Sequence, residues 1–153
     1  MIVQDMRPED WPAVARIYEE GLDLGTFEES VPSFDGWWES HPIRLVARDP
    51  DVVGWASLGP TSRRECYRGV VENSVYVASS ARGRGVGRAL LEELCGRADA
   101  AGVWTIQAVM FADNDASRAL HEACGFKLVG RRERIAQKHG EWRDTLLLDR
   151  RAP

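Results

Sequence analysis

The chain has 153 residues, 44% hydrophobic and 29% charged, the balance of an ordinary globular domain long enough to bury a core without a metal or disulfide staple. Its formal net charge of −4 argues against a nucleic-acid partner, which calls for a basic domain or face. There is no run of about 18 apolar residues to span a membrane, and the opening MIVQDMRPED lacks the basic-then-apolar pattern of a secretory signal, so neither a membrane partner nor export is expected.

In chain order, the pattern predicts a short strand over Ile2 to Arg7, then a helix from about Asp10 to Leu22. Asp10 is a natural cap, Pro12 is tolerated in the first turn, and Trp11, Val14, Ile17, Tyr18 and Leu22 recur at helical spacing. A loop over Gly25 to Ser33 leads to a short helix, Phe34 to Ser40, ended by Pro42. Two strands, Ile43–Arg48 and Val52–Leu58, form a hairpin around Asp49-Pro50-Asp51. An Arg-rich loop, Gly59 to Gly69, precedes a strand from Val70 to Val77. The Gly-rich segment Arg82 to Gly87 opens a helix reaching about Ala101, with Val86, Leu90, Leu94 and Ala98 as its apolar stripe. A strand over Val103 to Met110, a helix over Asn114 to Cys124 and a hairpin of Phe126–Gln137 with Trp142–Leu148 complete the series. The helix over Asn114 to Cys124 should bury Ala116, Ala119, Leu120 and Ala123. The order is not a regular βαβα alternation, so an α+β sheet in a single domain, residues 1–153, is expected.

Cys66, Cys95 and Cys124 are an odd set with no C-x-x-C pair, which fits a reducing cytoplasm and supplies no zinc framework. His41, His121 and His139 are too scattered for an H-E-x-x-H site, so no metal is expected. The chemical signal is strand, short loop, Arg82-Gly83-Arg84-Gly85-Val86-Gly87, helix. Glycines let backbone N–H groups approach a ligand closely, and a helix N-terminus adds about half a positive charge, so the segment is a pyrophosphate cradle. It is no Walker loop, because Gly87 is followed by Arg88-Ala89 rather than Lys and Ser or Thr. Nor does G-x-G-x-G at 83, 85 and 87 match the dinucleotide spacing G-x-G-x-x-G.

The pattern R-x-x-G-x-G at Arg82, Gly85 and Gly87, with Asn114-Asp115-Ala116-Ser117 and Leu120 to Phe126, resembles the acetyl-CoA site of the GNAT N-acetyltransferases. The resemblance covers nearly the whole chain. Val53-Gly54-Trp55-Ala56, Gly59-Pro60, Arg64, Tyr67, Glu72 to Val77 and Lys138 to Asp144, with Thr26-Phe27-Glu28, are similar to the phosphinothricin and methionine sulfoximine N-acetyltransferase branch. That likeness implies the acyl-CoA N-acyltransferase fold: a mixed, mostly antiparallel sheet with flanking helices and a splayed central strand pair. It implies acetyl-CoA as co-substrate, a small-molecule amine as acceptor, and a homodimer. The expected reaction is acetyl transfer to the amino group of a small amino acid or analogue such as methionine sulfoximine, methionine sulfone or phosphinothricin. Another amine (a polyamine, an aminoglycoside, a protein N-terminus) and a non-catalytic coenzyme A sensor are the rival readings.

Glu72 stands out even without the resemblance, because a mid-strand Glu between valines is disfavoured. A partly desolvated carboxylate has a raised pKa and suits a general base for an ammonium substrate, the role the resemblance gives it. By the same likeness, Val75, Tyr76 and Val77 bind the pantetheine arm, with Val77 polarising the thioester through its backbone. Arg82, Gly83, Arg84, Gly85, Val86, Gly87 and Arg88 would hold the pyrophosphate, although Arg84 and Arg88 read equally well as solvated. Asn114 is a pantetheine contact or a helix N-cap, and Ser117 a further coenzyme A contact. His121 stands where many relatives carry a tyrosine acid; it is a candidate general acid or an ordinary helix residue. Phe27, Arg64, Tyr67 and His139 are the candidate acceptor contacts, Arg64 as a bidentate carboxylate partner and His139 from a tight turn. Ser62 replaces a lysine of related enzymes, which argues against phosphinothricin and its second anionic group. Trp37 and Trp38 would wall the acceptor pocket or a dimer face, and Trp55, Trp104 and Trp142 fit core or interface.

Overall fold

The computed structural model describes residues 1–23 and 27–153, so Gly25 and Thr26 of the predicted loop lie outside the described residues. Seven strands form one sheet: β1 (Ile2–Asp5), β2 (Ile43–Arg48), β3 (Val52–Pro60), β4 (Val70–Val77), β5 (Thr105–Phe111), β6 (Lys127–Lys138) and β7 (Glu141–Arg151). The helices are α1 (Trp11–Asp23), α2 (Phe34–Ser40), α3 (Val86–Ala100) and α4 (Asp115–Ala123). The spatial order is β1-β2-β3-β4-β5-β7-β6, antiparallel throughout except between β4 and β5. None of the described helices is long and apolar enough to cross a membrane.

Side-chain alternation assigns the two faces. Trp55 on β3 and Tyr76 on β4 are register partners whose rings stack at 4.7 Å, and Tyr18 of α1 lies 4.9 Å from Tyr76. The partners one step along, Gly54 and Val77, face the other way, toward α3. A Cβ on Gly54 would lie 3.0 Å from Leu90 Cδ1 and 3.0 Å from Val86 Cγ1, so glycine lets α3 press directly on the strand. The predicted stripe of α3 is buried: Val86, Leu90, Leu94 and Ala98, joined by Leu91 and Cys95. Val14, Ile17 and Tyr18 of α1 are buried as the periodicity predicts. Each fully buried leucine contributes about 1.5–3 kcal/mol.

The parallel pair is short. Val70, Val71 and Glu72 pair with Thr105, Ile106 and Gln107, and beyond Glu72 the two strands part. Gly69 starts the pairing: its carbonyl accepts from the N–H groups of Trp104 at 2.9 Å and Thr105 at 3.1 Å. A Cβ there would lie 2.1 Å from Trp104 Cε3, so the ring occupies space that only glycine leaves.

Several boundaries differ from the sequence expectation. The first strand stops at Asp5, and a 3-10 turn, Pro8–Asp10, leads into α1. Asp10 takes the Arg7 N–H at 2.8 Å and an ion pair from Arg48 at 2.5 Å, tying this turn to β2. β5 begins at Thr105 rather than Val103, because the Val103 N–H closes the end of α3 on the Ala98 carbonyl at 3.0 Å. The final hairpin runs to Lys138 and Arg151, joined by His139 and Gly140 with φ of 51° and 78°, the positive-φ pair that a tight antiparallel turn needs. On α4 the buried residue is His121, whereas Ala116, Ala119 and Ala123 are exposed. Trp37 lies in the core against Trp11 and Trp55, and Trp142 is exposed on β7.

Candidate active site

The parting of β4 and β5 opens a cleft of about 890 Å³. Along β4, the N–H of Ala78 reaches the Val53 carbonyl at 2.8 Å. Alternation then turns the backbone groups of Tyr76 and Ser74 toward β3 and those of Asn73, Val75 and Val77 toward the gap. Past Glu72 no β5 residue pairs with them. Buried main-chain groups without a strand partner call for other hydrogen bonds, so this edge suits a ligand with amide groups of its own.

The same alternation divides the lining into two sides. Glu72, Ser74 and Tyr76 share the α1 side, with Tyr18, Phe27, Glu28 and Phe111. Asn73, Val75 and Val77 share the α3–α4 side with Ala116, Ser117 and His121. Glu72 reaches solvent through the open cleft, yet the walls remove enough hydration to push its carboxyl above the usual range, and the Glu28 carboxylate pushes it the same way. Beside them, Phe111 packs edge-on against Phe27 at 4.7 Å. Arg143 of β7 lies over the Phe111 ring, 4.1 Å from its centroid, and pairs with Asp113 at 2.9 Å.

On the opposite side, Asn114 Oδ1 accepts the Ser117 N–H at 3.1 Å and caps α4, while the residue also lines the cleft. His121 is 6% exposed. Its Nδ1 lies 2.7 Å from the Ser117 carbonyl and its Nε2 lies 3.0 Å from Asn73 Nδ2. The carbonyl can only accept, so Nδ1 carries the proton and Nε2 accepts from the Asn73 amide. Burial lowers the pKa, which favours this neutral form. A neutral ring with both nitrogens engaged is poorly set to give a proton away, and its hydrogen bonds fix Asn73 in the strand edge.

The Gly-rich segment closes one end of the cleft. Gly83 and Gly85 have φ of 76° and 79°, and a Cβ on either would meet nothing within 4 Å, so this backbone stands open to an incoming group. Gly85 sits at the N-cap of α3. The connection is anchored twice: the Ser79 N–H donates to Glu20 Oε2 at 2.8 Å, and Arg84 pairs with Asp49 at 2.7 Å. Arg88 pairs with Glu92 at 2.7 Å. With Arg84 and Arg88 engaged, Arg82 is the arginine of this segment that lines the cleft. Val86 is buried beneath the turn, and a Cβ on Gly87 would lie 3.3 Å from Leu120, so Gly87 permits the contact between α3 and α4.

The remaining predicted acceptor contacts fall elsewhere. Arg64 and Tyr67 are exposed on the β3–β4 loop and do not line the cleft, and the Arg64 N–H binds Ser62 Oγ at 3.1 Å. His139 lines a neighbouring groove of about 570 Å³ with Arg16, Glu19, Glu28 and Lys138, sharing Glu28 with the cleft. Sequence reasoning did not single out Glu28, Asn73, Phe111 or Arg143 as site residues; their position depends on which strands neighbour β4, which local pattern does not encode. Among the described residues no group of three or more His, Cys, Asp or Glu is placed to hold a metal.

Comparison with known proteins agrees with this architecture. The model of the acetyltransferase (GNAT) family matches residues 9–126. The L-methionine sulfoximine/L-methionine sulfone acetyltransferase of Pseudomonas aeruginosa is 34% identical, over 95% of this chain and 91% of its own. A GNAT superfamily phosphinothricin acetyltransferase from Sinorhizobium meliloti, solved with acetyl-CoA, superposes with a TM-score of 0.90 at 34% identity, over 99% and 88% of the two chains. A ribosomal-protein-alanine N-acetyltransferase from Brucella melitensis does so with a TM-score of 0.91 at 36% identity, over 99% of each.

Proposed function

The chain belongs to the acetyltransferase (GNAT) family, as an N-acetyltransferase that uses acetyl-CoA, and from that premise we propose that it acetylates the amino group of a small amino acid or analogue with Glu72 as general base. The observation that carries this reading is Glu72 at the point where β4 and β5 part, on the side of the cleft opposite the coenzyme-binding backbone.

Acetyl-CoA supplies an activated acetyl thioester. The residues present fit it: Gly83, Gly85 and the start of α3 offer open backbone donors for the pyrophosphate, with Arg82 adding charge. Val75 and Val77 offer main-chain groups to the amide-bearing arm, and the Val77 N–H polarises the acyl carbonyl. Tyr76 supports them from behind, its ring held in the aromatic stack. Asn114 and Ser117 border the same side. On the other side Glu72, directly or through water, takes a proton from the acceptor ammonium. The freed amine forms the new C–N bond while the C–S bond breaks; the sulfur leaves as thiolate, and the second N–H proton passes to it, giving the neutral amide and the free thiol. A thiol pKa of about 8.5 lets that leaving group depart without a dedicated acid, consistent with a neutral His121.

The acceptor side carries both charge signs, the carboxylates of Glu72 and Glu28 and the guanidinium of Arg143, which favours a zwitterion over a polycation. The likeness to the Brucella enzyme favours one other reading, a protein amino terminus. Thiol release from acetyl-CoA across methionine sulfone, methionine sulfoximine, phosphinothricin, spermidine and an alanine-initiated peptide separates them. Turnover of the first three supports the amino-acid reading; turnover of the peptide alone replaces it.

Three free cysteines are in keeping with a reducing cytoplasm. A homodimer is supported by the exposed Leu128, Val129 and Ile135 on edge strand β6 and by Trp142 beside it.

A further inference from the structure

Arg143 is the arginine lining the acceptor side of the cleft; the buried Lys138 comes near the same side, 5.9 Å from the Phe111 centroid, but donates to the Glu28 carbonyl at 3.4 Å and lines the neighbouring groove instead. β7 lies next to β5, Phe111 pairs with Thr145, and Arg143, two residues from Thr145, projects on the same side and covers the Phe111 ring at 4.1 Å. The Arg-rich loop does not compete for this position. Arg64 is exposed, and Arg68 is drawn to Glu65 and to the Trp104 ring, 5.1 Å from its centroid. Arg82, the other arginine lining the cleft, belongs to the Gly-rich segment.

The Arg143 guanidinium carbon sits over the Phe111 ring, a cation–π contact that holds its intrinsically planar fork of donors at the cleft wall. Its ion pair with Asp113 runs through one terminal nitrogen, Nη2. The Asp113 side chain is 80% exposed, so this pair is weak and exchangeable, whereas the Arg143 side chain is only 26% exposed. An anionic group entering the cleft therefore meets a partly desolvated, preoriented fork whose present partner is easily replaced by water. Glu72 and Glu28, on the same side, suit the ammonium end of the same molecule.

We propose that Arg143 is a substrate-specificity residue that binds an anionic oxygen of the acceptor, so that the enzyme selects amino acids over plain amines. The proposal rests on the amino-acid reading above. Two groups present the same chemistry: the α-carboxylate common to all the candidate acceptors and the phosphinate of phosphinothricin.

The test compares steady-state kinetics of the wild type, Arg143→Ala and Arg143→Lys on three acceptors: methionine sulfone, phosphinothricin and the decarboxylated amine of methionine sulfone. Thermal melting of each variant reports folding. The expected result is a KM for methionine sulfone at least tenfold higher in Arg143→Ala, with kcat changed much less, KM for the amine unchanged, and partial recovery in Arg143→Lys. That pattern assigns the α-carboxylate; a rise confined to phosphinothricin assigns the phosphinate. An unchanged KM for both acids, or an equal loss on the amine, overturns the role of Arg143 and leaves the amino-acid reading standing. A wild type that acetylates none of the three overturns that reading, and this proposal with it.

Discussion

On the proposed mechanism the acid limb of the pH profile belongs to Glu72, whose carboxyl is raised by burial and, to a smaller extent, by the Glu28 carboxylate. The base must be ionised to accept a proton. Its pKa is raised by burial first and by Glu28 second, so kcat/KM should climb with pH through an inflection above the ordinary glutamate value of about 4.3. Glu72→Gln should cost about 10²–10⁴-fold in kcat and abolish that inflection. Glu28→Gln removes one carboxylate and should move the inflection to lower pH. A pH–rate series on the three proteins decides; retention of the acid limb in Glu72→Gln would remove the general-base assignment. Glu72 was legible in the sequence because its residue type conflicts with its surroundings. Arg143 was not, because its partners are Phe111 of β5 and Asp113 just beyond that strand, and only the strand order places β7 beside them at the cleft.

The elements carry a different set of consequences. In β4 the amides of Val75 and Val77 face the gap, whereas those of Ser74 and Tyr76 face β3. Hydrogen exchange should therefore be faster at Val75 and Val77 than at their neighbours in the free enzyme, and acetyl-CoA should slow it at those two. Equal protection along β4 without ligand would mean that the gap is closed in solution. Gly69→Ala should destabilise the fold by about 1–3 kcal/mol, because the new methyl group collides with the Trp104 ring. Trp104→Leu should recover part of the loss in a denaturation series. His121 sets a pH dependence of stability on α4. Its folded pKa lies below the unfolded value of about 6.5, so the stabilisation of the neutral ring is complete above that pH and is lost as pH falls below it. The fall in Tm between about pH 7.5 and 5.5 should be smaller in His121→Gln than in the wild type. His41 is shifted in the same direction, so the variant removes only part of the slope. Sequence periodicity located these elements well where a face was continuously apolar, as in α1 and α3. It misjudged α4, whose alanines are exposed, Ala116 at the cleft, and whose buried residue is a hydrogen-bonded histidine.

At the scale of the whole molecule, the sheet has two edges, β1 and β6. β6 is the longer and presents Leu128, Val129 and Ile135 to solvent. Light scattering should return about twice the monomer mass, and Val129→Lys should lower it if β6 forms the interface. A wild-type mass equal to one chain would remove the dimer. The sequence made seven strands and four helices readable in order, but not the insertion of β7 between β5 and β6. That swap brings Arg143 to the cleft and leaves the apolar residues of β6 on the outside.

The early end of the β4–β5 pairing also shapes how this molecule can change over many generations of mutation. The groups offered along that edge belong to the main chain, so ordinary substitutions leave them in place; only a proline at Val75 or Val77 deletes the donor outright. The acceptor side, by contrast, is built from side chains on β4, β5 and β7 and the loop after α1, each replaceable one at a time. Acetyl handling is thus buffered against mutation while amine choice is exposed to it, and a lineage can acquire a new acceptor without relearning how to hold the old donor.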